Sequence, residues 1–206
     1  MLTHTAAVFF SLDCILVRGS SLSHLVEERL GLSGTSGVHG TGETDAAHWT
    51  GILESALHTQ LGRLPAFPGV AETTRWCWGN GLVPVISGLA WAPMGAHLAE
   101  RFGFHSYSGR FLESANGRFT GRTDGSSAPV NHADFVLERA DDLGFEPMNC
   151  AAVGACPTDG PLFDAVGLGV AFNASCGVRS LATTSVDGED LSAVIPALER
   201  LSVIRV

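Results

Sequence analysis

The chain has 206 residues, a formal net charge of −9, and 45% hydrophobic against 16% charged residues. This is enough apolar material for one α/β domain with a small insertion, and it excludes a natively disordered chain. The acid excess argues against a nucleic-acid or anionic-membrane surface, since both require clustered positive charge.

In chain order, Ala6 to Leu12 is a short apolar run flanked by polar residues, which suits a buried parallel strand. Ser20 or Ser21 can cap a helix running to about Leu30, and residues 31–44, rich in Gly, Ser and Thr, read as a loop. A helix is predicted from about Asp45 to Leu61 with Trp49, Ile52, Leu53, Ala56 and Leu57 on one face, closed by Pro65 and Pro68. A further helix runs from Gly69 to Trp78 and ends at Asn80-Gly81. Leu82 to Ile86 is a strand, and about Trp91 to Phe102 a helix. Asn116-Gly117 marks a hairpin between Phe111-Leu112 and Arg118-Phe119. A helix over about Asn131 to Leu143, strands at Cys150–Val153 and Gly167–Phe172, a helix from about Leu191 to Leu201 and a strand at Val203–Val206 complete the pattern.

Repeated strand–helix units predict an α/β fold, a Rossmann-like parallel sheet with helices on both faces. Residues 1–31 and 67–206 would form the core, with a small helical cap at 32–66. In such sheets ligands bind beyond the carboxyl ends of the strands, which collects Ser11–Asp13, Ser87 and residues 154–159 on one rim.

The chain contains no lysine, all 12 basic residues being arginine, so no site can use one. The five cysteines show no CxxC spacing and read as small buried hydrophobes of a reducing compartment. No basic leader precedes the first apolar stretch, so a cytoplasmic protein without a membrane span is expected. The histidines show no HxxxH metal spacing.

Four segments stand out at strand ends or helix starts: Val8-Phe9-Phe10-Ser11-Leu12-Asp13, Pro84-Val85-Ile86-Ser87-Gly88, Asn131-His132-Ala133-Asp134, and Val153-Gly154-Ala155-Cys156-Pro157-Thr158-Asp159. In this order they resemble the motifs of the haloacid dehalogenase superfamily, on its phosphoserine-phosphatase side. That family carries Asp-x-Asp, then Ser or Thr, then Lys, then Gly-Asp-x-x-x-Asp at these places. The resemblance implies a magnesium-dependent phosphoryl site, but three central groups differ. Ser11 stands where the carboxylate nucleophile would be, His132 replaces the lysine, and Ala155 replaces a carboxylate that holds Mg²⁺. Asp13, Ser87 and Asp159 are retained. No cofactor is therefore expected, and Mg²⁺ would be held only weakly.

If the seats are preserved, Ser11, His132 and Asp159 converge as nucleophile, base and orienter, with Asp13 assisting as acid. Backbone amides of Leu12, Asp13 or Gly88 would form an oxyanion hole. Ser87, Gly88, Cys14, Thr158 and Trp49 are expected to line the substrate pocket. The leading expectation is metal-independent nucleophilic or acid–base catalysis, of hydrolase or acyl-transfer type, on a small-molecule metabolite. The alternative is a non-catalytic pseudophosphatase that binds a ligand or protein partner, and the third is a weak residual phosphatase.

Overall fold

The computed structural model describes residues 4–13, 15–17, 21–32, 43–123 and 132–202. The central strand β1 (Ala6–Ser11) has all six residues buried. β2 (Leu82–Ser87) runs beside it and is likewise wholly buried. The short β3 (Ser106–Tyr107) closes that edge. On the other side of β1 lie β6 (Ala151–Gly154), β7 (Leu168–Phe172) and β8 (Thr184–Val186). The sheet is parallel throughout, in the order β3-β2-β1-β6-β7-β8. β4 (Ser114–Ala115) and β5 (Arg118–Phe119) form a separate antiparallel hairpin.

Strands buried on both faces need cover on both faces. Alternation along β1 sends Val8 and Phe10 into one core and Ala7 and Phe9 into another. The first core takes its cover from α1 (Leu22–Arg29), α3 (Glu54–Arg63), α4 (Val70–Gly79), α5 (Ala92–Phe102) and α9 (Ile195–Ser202). The second is covered by α6 (His132–Asp142), α7 (Gly160–Asp164) and α8 (Cys176–Arg179). The Rossmann-like α/β architecture expected from the sequence is present.

Several local expectations need correction. The helix expected over 45–61 is two helices, α2 (Glu43–Ala47) and α3, because Gly51 takes a left-handed φ of 81° between them. Leu53 is consequently extended rather than helical and is 41% exposed. In the hairpin, Asn116 and Gly117 have φ of 52° and 74°, a two-residue turn with both centres left-handed. Such a turn pairs the residues that flank it, so Ala115 faces Arg118 and Ser114 faces Phe119. Phe111-Leu112 is therefore not the partner strand. The C-terminal helix begins as a 3-10 turn over Leu191–Val194 before α9. Residues 203–206, expected as a strand, and residues 33–42 of the expected loop lie outside the described residues.

The hairpin is stitched to the segment between α2 and α3. Gly51 N donates to Phe119 O at 2.8 Å, Phe119 N to Ile52 O at 2.9 Å, and Arg118 Nη1 to Gly51 O at 2.7 Å. Among the described residues no helix is long and apolar enough to cross a membrane.

Candidate functional site

Excluding the hairpin, the strand order reverses at β1, which puts the crevice at the carboxyl ends of β1, β2 and β6. Ser11 ends β1 and is the register partner of Ser87, which ends β2. Phe10 pairs with Val153, so Gly154 ends β6 beside the same rim. Glycine is required at two points here. A Cβ on Gly88 would meet Leu12 Cβ at 2.7 Å, and one on Gly154 would meet Asp159 Oδ2 at 2.6 Å.

The imidazole of His132 meets the hydroxyl of Ser87, not that of Ser11. Ser87 Oγ and His132 Nδ1 lie 2.8 Å apart, at 0% and 6% exposure. In the tautomer that carries its proton on Nε2, the hydroxyl donates and the imidazole accepts. Ser11 Oγ reaches only the carbonyl oxygen of Asp13, at a long 3.5 Å. The expected Ser11–His132 bond is therefore absent. Ser11 and Ser87 end neighbouring parallel strands, and the imidazole bonds the hydroxyl on β2.

Asp159 is also differently employed. Its Oδ2 accepts from the amides of Ala155 and Cys156 at 2.8 and 2.9 Å. The carboxylate is wholly buried, and its Oδ1 has no hydrogen-bond partner among the described residues. It folds the loop after β6 back on itself and does not orient His132, so the expected triad is not formed. Cys156 is half-buried and Thr158 exposed on this turn.

Asp13 Oδ1 accepts from Leu22 N, the first amide of α1, at 2.8 Å. Asp13 is thus the carboxylate that caps α1; Ser21 occupies the N-cap position, but its side chain makes no capping bond. Two of the amides expected in an oxyanion hole are already engaged. Leu12 N donates to Ser87 O at 2.8 Å, and Gly88 N donates to Ser108 Oγ at 2.6 Å. Ser108 returns its own proton to Gly88 O at 2.7 Å, locking the loop after β2. Cys14 lies outside the described residues. Trp49 is 0% exposed and packs edge-on against Phe119 with ring centroids 5.6 Å apart, so it is a core residue and not a pocket wall.

The sequence offered no signal for Ser108, or for Arg110 two residues on. Arg110 lies over the Trp91 ring at 4.1 Å, and its Nε donates to Leu89 O at 3.3 Å. Burial lowers its pKa, against the opposing pull of Asp45 and Glu27. It is the cation tied to the Ser87–Leu89 loop in a site without lysine.

A magnesium ion requires about six oxygen ligands in near-octahedral array. Here Ser11 and Ala155 bring no carboxylate, and Asp13 and Asp159 each commit one oxygen to backbone amides. Among the described residues no group of three or more His, Cys, Asp or Glu could hold a metal. The described side chains at this rim do not make up that array.

No protein-family model matches the chain. It is 27% identical over 205 residues to a phosphoserine phosphatase of Archaeoglobus fulgidus, covering 93% of this chain and 59% of the relative. It is 29% identical over 158 residues to a phosphoserine phosphatase of Albidiferax ferrireducens, covering 70% of this chain and 65% of the relative. The chain thus spans about three fifths to two thirds of the length of these two curated relatives. Among solved structures, a phosphoserine phosphatase in its apo form superposes with a TM-score of 0.77 at 18% identity, covering 93% of this chain and 98% of that one. A probable phosphoserine phosphatase from Vibrio cholerae, unliganded, gives 0.72 at 21%, covering 97% of this chain and 68% of that one. The structural likenesses establish the fold, and the sequence relatives point the same way. In sequence and in fold the chain is similar to the phosphoserine-phosphatase-like branch of the haloacid dehalogenase superfamily.

Proposed function

We propose that the chain is a hydrolase that works without magnesium, with Ser87 and His132 as its reactive pair and a small ester or thioester as substrate. The observation that carries this reading is the 2.8 Å bond between Ser87 Oγ and His132 Nδ1 at the strand rim. A hydroxyl bonded to an imidazole can lose its proton as it attacks. Ser87 Oγ would add to the acyl carbon while its proton passes to Nδ1. That proton would then leave with the alcohol or thiol, and water would release the acid from the serine by the reverse order of steps. Asp13, at the mouth of the same rim, would serve as a second acid–base group, and Ser11 would line the pocket opposite Ser87. The names of the relatives support a hydrolytic ancestry, and the missing carboxylates at Ser11 and Ala155 support a metal-independent course.

A serine-directed fluorophosphonate followed by peptide mass spectrometry tests the pair. The expected adduct is on Ser87 and is lost in His132→Ala. With a turned-over substrate, His132→Ala should lower kcat by roughly 10²- to 10⁴-fold. An adduct on Ser11 alone, or one that survives His132→Ala, sinks the dyad.

A second reading, a non-catalytic ligand-binding descendant, is favoured by two observations. Ser87 is 0% exposed, and the amides of Leu12 and Gly88 are already engaged. It predicts no adduct at any serine, and a small molecule retained through purification in native mass spectrometry.

A further inference from the structure

We propose that His58 and His97 form a pH-sensitive latch that holds α3 of the insert against α5 of the core. Their Nδ1 atoms are 3.3 Å apart, with ring centroids at 5.4 Å and an interplanar angle of 41°. His58 belongs to α3 and His97 to α5. Among the described residues the only other side-chain hydrogen bond between these helices is Arg101 Nη1 to Leu61 O, at a long 3.4 Å.

A nitrogen-to-nitrogen bond needs one ring to donate and the other to accept, so at least one Nδ1 must carry no proton. The rest of the geometry says which. His97 Nε2 is buried and has no hydrogen-bond partner among the described residues, so a proton placed there would be an orphaned donor. Neutral His97 therefore keeps its proton on Nδ1 and donates it to His58. His58 is exposed, and its own Nε2–H can meet water. A doubly protonated pair has no acceptor and sets two cations against each other.

The surroundings act in the same direction. Burial lowers the pKa of His97, and His58 and then Arg101 lower it further, while Glu100 opposes them. α3 also carries Glu54 and Arg63. Of the other helices packed here, α1 brings His24, Glu27, Glu28 and Arg29 to α3, and α4 brings Glu72 and Arg75 to α5. None of these charges is among those that shift His97. The sign follows from linkage. With its pKa lowered in the closed contact, His97 binds its proton more readily when the helices part. The contact is strongest at neutral pH and weakens as pH falls below the ordinary histidine value.

Amide hydrogen exchange, corrected for intrinsic rates, tests the latch between about pH 7.5 and about pH 5.5, the range in which histidine titrates. Protection of α3 should fall severalfold on acidification, while α6 stays protected. His58→Gln should abolish that step, and His24→Gln should keep it. A step of equal size in His58→Gln, or none in the unaltered chain, overturns the latch. An NMR titration of His97 supplies an independent check. Its midpoint should lie below the ordinary histidine value and rise in His58→Gln. A midpoint at or above that value in the unaltered chain also overturns the proposal.

Discussion

Asp159 carries opposing contributions on its two oxygens. Oδ2 holds the amides of Ala155 and Cys156, and hydrogen bonds to a charged group contribute about 1.5–3 kcal/mol each. Oδ1 is buried with no hydrogen-bond partner among the described residues, which offsets part of that gain. Asp159→Ala leaves two loop amides without an acceptor. A net loss of about 2 kcal/mol in urea denaturation is expected. Asp159→Asn keeps a carbonyl oxygen for both amides and removes the buried charge, so it should cost about 1 kcal/mol or less. An alanine variant as stable as the parent would show that the loop is held by something else. The same residue marks a limit of sequence reading. Its place in the fourth motif puts it at the rim, but the choice between orienting an imidazole and closing a turn depends on where one carboxylate rotates. Ser11 and Ser87 pose the same difficulty. They are register partners on adjacent strands, and sequence alone does not fix which hydroxyl His132 bonds.

At the scale of elements, the carboxylate of Asp13 ties the end of β1 to the start of α1 through Leu22 N. Removing an N-terminal cap costs about 1 kcal/mol, so Asp13→Ala should lose that much, whereas Asp13→Asn still accepts the bond. The pair separates structure from chemistry. If Asp13 is also an acid–base group, Asp13→Asn should keep its stability yet lower kcat by roughly 10²-fold or more. Equal activity of Asp13→Asn and the parent would confine Asp13 to capping. The elements that were legible are those with a strong period or a diagnostic turn. β1, β2, β6 and β7 are apolar runs of strand length, and Asn116-Gly117 names its own turn. β3 and β8 span two and three residues, too few to display alternation. The break between α2 and α3 rests on one left-handed glycine inside an otherwise helical pattern. The stitching of the hairpin to the insert joins residues about 67 positions apart, and two of its three bonds run between backbone groups, which leave no mark in side-chain pattern.

At the scale of the whole molecule, the sheet separates two cores, and each contains a cysteine. Cys77 lies in the core on the α4 side and Cys150 in the core on the α6 side. Burial pushes the Cys77 thiol up to about 12. Burial also raises Cys150, against the opposing effect of a hydrogen bond from the Ala7 amide. The thiolate is the reactive form, so at pH 8 only about one Cys77 in 10⁴ would be reactive even if a reagent could reach it. Among the described cysteines Cys176 is exposed and Cys156 half-buried, and these two should label before Cys77 and Cys150 in the native protein. Cys77 and Cys150 should react only as the chain unfolds, which makes each a reporter of its own face of the sheet. β1 contributes alternate residues to both cores, so neither face can come apart without disturbing the other. Pulsed thiol labelling across a urea series, read peptide by peptide, should give both cysteines one common midpoint, coincident with loss of far-ultraviolet circular dichroism. Separate midpoints would mean that the two layers unfold independently. Rapid labelling of Cys77 in the absence of urea would mean that the α4 face is open in the native state.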